Sequence, residues 1–224
     1  MPVGTQASVK TVRNSDLERE RFGIILANTY HLYLRPGAET IEQCGGLHSF
    51  MSWSGNILTD SGGFQLFSLS RLRKRSEEGY SFQSHIDGSS HLLTPEKVIE
   101  VQKVLGSDVM MVLDECLEQP SGREKTEESL ALTLRWAERA RKAYTGGKQA
   151  LFGIVQGGCF PDLREKSARE LAAMDFDGYA IGGVSVGESR RNMMKAVKAS
   201  VPGLPQEKPR YLMGVGKPED RVGF

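Results

Sequence analysis

Asp60, Asp114, Glu115, Cys116, Gln156, Gly183 and Met213 stand where short apolar runs end in polar or glycine residues. Asp60 lies in Thr-Asp-Ser-Gly-Gly-Phe-Gln. An Asp before Ser-Gly-Gly is more often a turn or helix cap than a catalyst. Gly62 and Gly63, however, allow backbone N–H groups to approach a flat ligand closely, and Phe64 can stack on one. Asp114 ends the run Val109-Met110-Met111-Val112-Leu113, where a carboxylate must be paired. A buried salt bridge to an internal arginine would pair it, and so would the N1–H and N2–H₂ edge of guanine. The Gln156 amide can donate and accept, so it suits the O6 and N7 face of a purine or a bond to its own loop. Gly182-Gly183 and Gly187 could cradle a phosphate or form a backbone wall against a flat ring. His31, His48, His85 and His91 lack metal-ligand spacing. His31 reads as the end of a strand and the other three as loop or hairpin positions. Arg71, Arg73, Lys74 and Arg75 form either a solvated face or a phosphate contact.

The elements that must carry these residues alternate. Apolar runs at Met1–Thr5, Gly23–Leu34 (breaking at Asn28-Thr29-Tyr30-His31), Asn56–Thr59, Asp108–Leu113, Ala150–Val155, Gly178–Ile181 and Arg210–Val215 read as seven strands. Helical patterns follow several of them. One opens at Pro36 and stops at Gly45-Gly46, and one is capped by Thr94-Pro95 and runs to Leu105. Others span Lys125–Tyr144, Pro161–Met174 and Glu188–Ala199. Tyr80–Leu93 alternates around Asp87-Gly88 and reads as an inserted β-hairpin. Alternating strands and helices predict an α/β fold with a parallel sheet. Polar C-terminal tips predict a (β/α)₈ TIM barrel with its pocket at those tips, incomplete at seven of eight strands. An open doubly wound sheet is the alternative, but no G-x-G-x-x-G follows the first strand.

The 224 residues suffice for one domain, 1–224, and the formal net charge of +1 leaves an RNA surface only as a local patch. Cys44, Cys116 and Cys159 form no CxxC pair, which argues against a disulfide framework and against zinc within the chain. Reduced thiols and the lack of a signal peptide or membrane-length run predict a cytoplasmic protein without membrane partners.

Several long motifs occur in order: Asn28–Gly37 (NTYHLYLRPG), Leu58–Gln65 (LTDSGGFQ), Asp114-Glu115-Cys116, Phe152–Gly157 (FGIVQG), Gly178–Glu188 and Pro209–Asp220 (PRYLMGVGKPED). From Met1 to about Asp220 the chain resembles the queuine or tRNA-guanine transglycosylases. The resemblance implies exchange of guanine at the tRNA wobble position for a 7-deazaguanine by double displacement. It implies that Asp60 is the general acid/base and that Ser61, Gly62, Gly63 and Phe64 complete the base-binding loop. Asp114 and Gln156 would read the guanine edge, Gly183 would contact the base through its backbone, and Phe64 and Met213 would sandwich the ring. The stretch Gly214, Val215, Gly216, Lys217, Pro218, Glu219 and Asp220 would contact RNA. Cys116 and Val186 resemble the bacterial type, which takes 7-aminomethyl-7-deazaguanine.

Family members carry roughly thirty further residues before the position of Met1, in keeping with the structure that normally precedes a βα unit. The nucleophilic aspartate, on the eighth strand, and a later Cys/His zinc site have no counterpart here. Arg221–Phe224 does not resemble the family's continuation. The expectation is therefore a chain truncated at both ends, with no cofactor of its own, unable to exchange bases and poorly folded alone. The alternatives are a non-catalytic base- or tRNA-binding module, in a homodimer or a heterodimer with an active subunit, and an unrelated barrel enzyme acting on small phosphorylated metabolites.

Overall fold

The computed structural model describes residues 1–69 and 73–216. Seven parallel strands form one sheet in chain order: β1 (Val3–Gly4), β2 (Ile24–Ala27), β3 (Asn56–Thr59), β7 (Val109–Met111), β8 (Ala150–Val155), β9 (Gly178–Ile181) and β10 (Arg210–Leu212). The helices are α1 (Asn14–Arg19), α2 (Thr29–Leu34), α3 (Ala38–Gln43), α4 (Leu47–Met51), α5 (Gly63–Leu69), α6 (Pro95–Leu105), α7 (Arg123–Ala143), α8 (Pro161–Ala173) and α9 (Arg190–Ser200). The sheet curls, because residues at the first strand (Met1, Val3) and residues at the last (Tyr211, Met213) line one cavity. The architecture is an incomplete (β/α)₈ barrel with an inserted antiparallel sheet.

The sheet is buried on both faces where its runs are continuously apolar. Met110, Leu151, Ile154 and Val155 pack against Leu130 and Leu134 of α7, Leu163 and Leu171 of α8, and Val197 of α9. A second cluster joins Ile25 and Ile57 to Leu17, Ile41, Leu47 and Leu105. Truncating any of these leucines to alanine removes contacts that a close-packed core cannot replace, at about 2–5 kcal/mol. α6 is capped by Thr94, whose Oγ1 accepts from Lys97 N, with Pro95 in the first turn and Gly106 ending it in the left-handed region. Its buried Gln102 takes over where β3 and β7 pair over only two residues. The Gln102 Oε1 accepts from Thr59 Oγ1 (2.9 Å) and Met111 N (3.0 Å), and its Nε2 donates to Met111 O (2.9 Å).

Several expectations are corrected. The run Gly23–Leu34 is not one strand. It ends at Ala27, and Thr29–Leu34 is helical, so His31 lies in α2 rather than at a strand end. An apolar run with a break cannot by itself distinguish strand from buried helix. His48 lies in α4, bonding Trp53 O and pairing with Asp108, not in a loop. The loop after Asp60 becomes α5 at Gly63, and α1 and α4 are further short helices without a periodic signature.

The inserted hairpin is a three-stranded sheet. β5 (Tyr80–Gln83) and β6 (Ser90–Leu93) flank the Asp87-Gly88 turn, and β4 (Arg73–Arg75) pairs antiparallel with β5. Three consecutive basic residues carry no strand signature, and β4 is an exposed edge. Arg75 is therefore not merely solvated: its Nη1 lies 2.5 Å from Glu115 Oε2. Arg73 bonds Leu66 O and stacks over Phe67, while Arg71 lies outside the described residues. Tyr80, Phe82 and Leu93 bury the sheet's inner face against Trp136 and Leu132 of α7.

Candidate base-binding site

The parallel register brings the strand tips into rows. Ala27 faces Thr59, so Asn28 and Asp60, the next residues, are neighbours. Val155 faces Ile181 and Ile181 faces Leu212, so Gln156, Gly182 and Met213 form a second row. Between the rows lies a cavity of about 400 Å³. Asp60, Ser61, Gly62, Phe64, Asp114, Cys116, Gln156, Gly183 and Met213 line it, together with Val186, Gly214, Val215 and Gly216. The structure thus converges most of the residues singled out from sequence. Gly63 stands just behind, Glu115 turns away to Arg75, and Lys217, Pro218, Glu219 and Asp220 lie outside the described residues.

Asp60 is buried. Its Oδ1 accepts from Thr29 N (2.9 Å) and its Oδ2 from the Asn28 amide. Burial pushes its carboxyl up to about 6, against the pull of these bonds and of the Gln65 amide. Asp114 is also buried. Its Oδ2 accepts from Gln156 Nε2 (2.7 Å) and its Oδ1 from Ser61 Oγ (3.3 Å). Burial raises it to about 6 too, and the Asp60 charge adds to the rise. Among the described residues no arginine pairs with Asp114, so the salt-bridge alternative finds no partner there. An ionised carboxylate accepts about four hydrogen bonds, so Asp114 keeps acceptor capacity facing the cavity. Gly63 makes this packing possible, because a Cβ there would lie 2.7 Å from Asp114 O and 3.0 Å from its Oδ1.

The other wall is backbone and apolar. Gly183 has φ +59, the left-handed region that glycine adopts without cost. Val184 is buried beside it, and Met213 continues the ladder by donating to Ile181 O at 3.1 Å. Phe64 is 49% exposed on the opposite side, an unusual position for a large aromatic. Glu188 precedes α9 and accepts from the amides of Ser185 and Val186, the latter at 2.9 Å, holding that loop shut.

Asn28, Thr29 and Arg164 are site-forming residues that their types alone did not disclose. Asn28 occupied a strand tip as Asp60 does, and that was its available signal. Arg164, at helical spacing on an otherwise ordinary helix, had none. Among the described residues no group of three or more His, Cys, Asp or Glu could hold a metal ion. No helix among them is long and apolar enough to cross a membrane.

A concave site with acceptor-rich and donor-rich edges between an aromatic and a thioether suits a planar heterocycle with several polar edge groups. Residues 1–223 match the family model described as queuine tRNA-ribosyltransferase. The protein named queuine tRNA-ribosyltransferase of Solidesulfovibrio magneticus is 59% identical over 222 residues, covering 98% of this chain and 60% of that protein. Those of Desulforamulus reducens and Pelotomaculum thermopropionicum are 55% and 59% identical over 219 residues, each covering 98% of this chain and 59% of the relative. The chain spans about 60% of the length of these relatives. On its motifs, its barrel and this match over nearly its whole length, the chain belongs to the queuine tRNA-ribosyltransferase family.

Proposed function

We propose that this chain carries the base-recognition site of a tRNA-guanine transglycosylase, the enzyme that exchanges guanine in tRNA for a 7-deazaguanine. The observation that carries the reading is Asp114, a buried carboxylate without a cationic partner among the described residues, facing the cavity beside Gln156. Its unused acceptor capacity matches two adjacent donors, the N1–H and N2–H₂ of guanine. Gln156 and the Gly183 N–H supply the complementary donors for O6 and N7. Phe64 and Met213 enclose the two faces of the ring.

Base exchange by double displacement needs a nucleophile at C1′ of the ribose and a group that moves protons on the departing and entering bases. The reading gives Asp60 the second task. A carboxyl raised to about 6 keeps roughly a tenth of its population protonated at pH 7, so it both takes and gives a proton there. Neither Asp60 nor Asp114 is assigned as nucleophile, since both are engaged in proton handling and recognition. Cys116 and Val186 at the cavity wall favour 7-aminomethyl-7-deazaguanine as the entering base. The reading gives Gly214, Val215 and Gly216, which line the cavity, the approach of tRNA, and it puts the work in the cytoplasm. The test has two arms. Calorimetry with guanine and with 7-aminomethyl-7-deazaguanine should give saturable one-to-one binding, and the absence of binding by either would overturn the reading. Incorporation of labelled guanine into tRNA, alone and with a full-length relative, measures whether the chain turns over.

A further inference from the structure

Arg164 of α8 is fully buried, and among the described residues no carboxylate lies within ion-pairing distance of it. Its guanidinium instead serves four backbone carbonyls. Nε donates to Gly158 O (2.8 Å), Nη1 to Val155 O (3.2 Å) and Gly182 O (2.6 Å), and Nη2 to Gly183 O (2.8 Å). A planar fork with five donors is the one side chain able to do this from a single position. An unpaired buried cation is costly. Burial does pull Arg164 down to about 10, so it remains charged at neutral pH. The cost is spent where β8 and β9 end.

The geometry has a direct consequence for the cavity. The Gly182 carbonyl and the Gly183 N–H belong to one planar trans peptide unit, so they point in opposite directions. Arg164 holds the carbonyl from behind the wall and does not itself line the cavity, whereas Gly183 does. The Gly183 N–H is thereby turned toward the cavity, and among the described residues no acceptor takes it. The same side chain helps fix the backbone that carries Gln156. It holds the carbonyl of Val155 on one side, while Ser167, one turn further along α8, accepts from Gln156 N at 3.1 Å. A Cβ at Gly183 would collide with Gln156 Oε1 and approach Arg164 Nη2 to 3.2 Å, so Gly183 packs against the Gln156 amide on one side and the Arg164 guanidinium on the other.

We infer that Arg164 is a positioning residue for base recognition: from outside the cavity it orients the Gly183 N–H and anchors the backbone that carries Gln156, so that the two stand as a preformed pair of donors for the carbonyl edge of the purine. The inference rests on the base-site reading above. It differs from a plain structural role in predicting selective damage. Arg164→Lys keeps a charge but concentrates it on one nitrogen, which cannot reach four diverging carbonyls. The peptide between Gly182 and Gly183 is then free to rotate.

The test is made on the full chain with guanine and with tRNA, measured separately. Arg164→Lys should melt cooperatively, bind guanine about tenfold or more weakly, as loss of one aligned buried hydrogen bond implies, and bind tRNA within about twofold of the parent. Arg169→Lys, on the exposed side of α8, should change neither. In ¹⁵N-glycine-labelled protein the Gly183 amide should shift on guanine addition in the parent and not in the variant. A folded Arg164→Lys that binds guanine as the parent does overturns the inference and leaves the base site standing. A parent that binds no guanine overturns both. Should the variant not fold, the parent decides. With ¹⁵N-arginine labelling, the Arg164 Nε signal should move on guanine binding while that of Arg169 stays. An unmoved Arg164 signal beside a shifted Gly183 amide would overturn the inference.

Discussion

Four aspartates sit at the two ends of the same parallel sheet, and they do different things. At the N-terminal end, Asp108 precedes β7 and accepts from Ile57 N of β3 at 2.7 Å, while Asp177 precedes β9 and accepts from Leu151 N of β8 at 2.8 Å. Each satisfies the first free N–H of a neighbouring strand, and each remains reachable by water. At the C-terminal end, Asp60 and Asp114 are buried against a cavity and lifted to about 6. The residue type is the same. What differs is solvation and the direction of the remaining lone pairs, toward the backbone at one end and toward a concave cavity at the other. The stabilising pair closes its own hydrogen bonds, whereas the cavity pair leaves part of its capacity for a ligand.

The largest way to break this comparison is Asp114→Ala. It should remove the partner of two guanine donors and weaken guanine binding by about 2–4 kcal/mol, with little loss of thermal stability. Calorimetry alongside a melting curve checks both halves.

The second prediction concerns pH and stability. A carboxyl of ordinary value 3.8 that is held at about 6 when folded favours the neutral form in the folded state. Its stabilising contribution is complete below pH 3.8 and is lost as pH rises through 6. Above that, ionisation costs the fold, on the order of 3 kcal/mol by the linkage conversion. Asp114→Asn should therefore raise the melting temperature at pH 8 and leave it nearly unchanged at pH 3.5. An increase of equal size at both would contradict the buried-charge account. Guanine binding runs the other way. It needs the ionised form, so affinity should fall about tenfold per pH unit well below pH 6.

Gly63→Ala should sharpen the geometric part. The added Cβ meets the Asp114 backbone oxygen, and displacement of that carboxylate should cost about 1–3 kcal/mol in guanine affinity, as overpacking does. The smallest effect belongs to the other end. Asp108→Asn keeps the acceptor for Ile57 N but weakens it and its pairing with His48, costing about 1 kcal/mol of stability. Guanine affinity should be unaltered. Loss of binding there would show that the two ends of the sheet are coupled.

Much of this organisation could be read from residue order. Parallel strands place their terminal residues in a row, so Asp60, Gln156 and Met213 could be assigned to one pocket from strand ends alone. Asp114 could be assigned too, although its strand ends at Met111 and only the Val112 N–H, donating to Phe152 O at 3.1 Å, prolongs the ladder. What escaped reading depends on contacts between distant segments. β4 is a strand because Tyr80–Phe82 offers it a ladder and Glu115 a counter-charge, not because Arg73-Lys74-Arg75 favours extension. Arg164 escaped for the same reason. Its partners are carbonyls, which no residue type announces.

The most direct test of the central claim is the structure of the chain crystallised with guanine at pH 8. The account predicts the ring between Phe64 and Met213, with N1 and N2 within about 3 Å of the Asp114 carboxylate and O6 facing Gly183 N and Gln156. A guanine bound elsewhere, or one in the cavity with its donors turned away from Asp114, would contradict it.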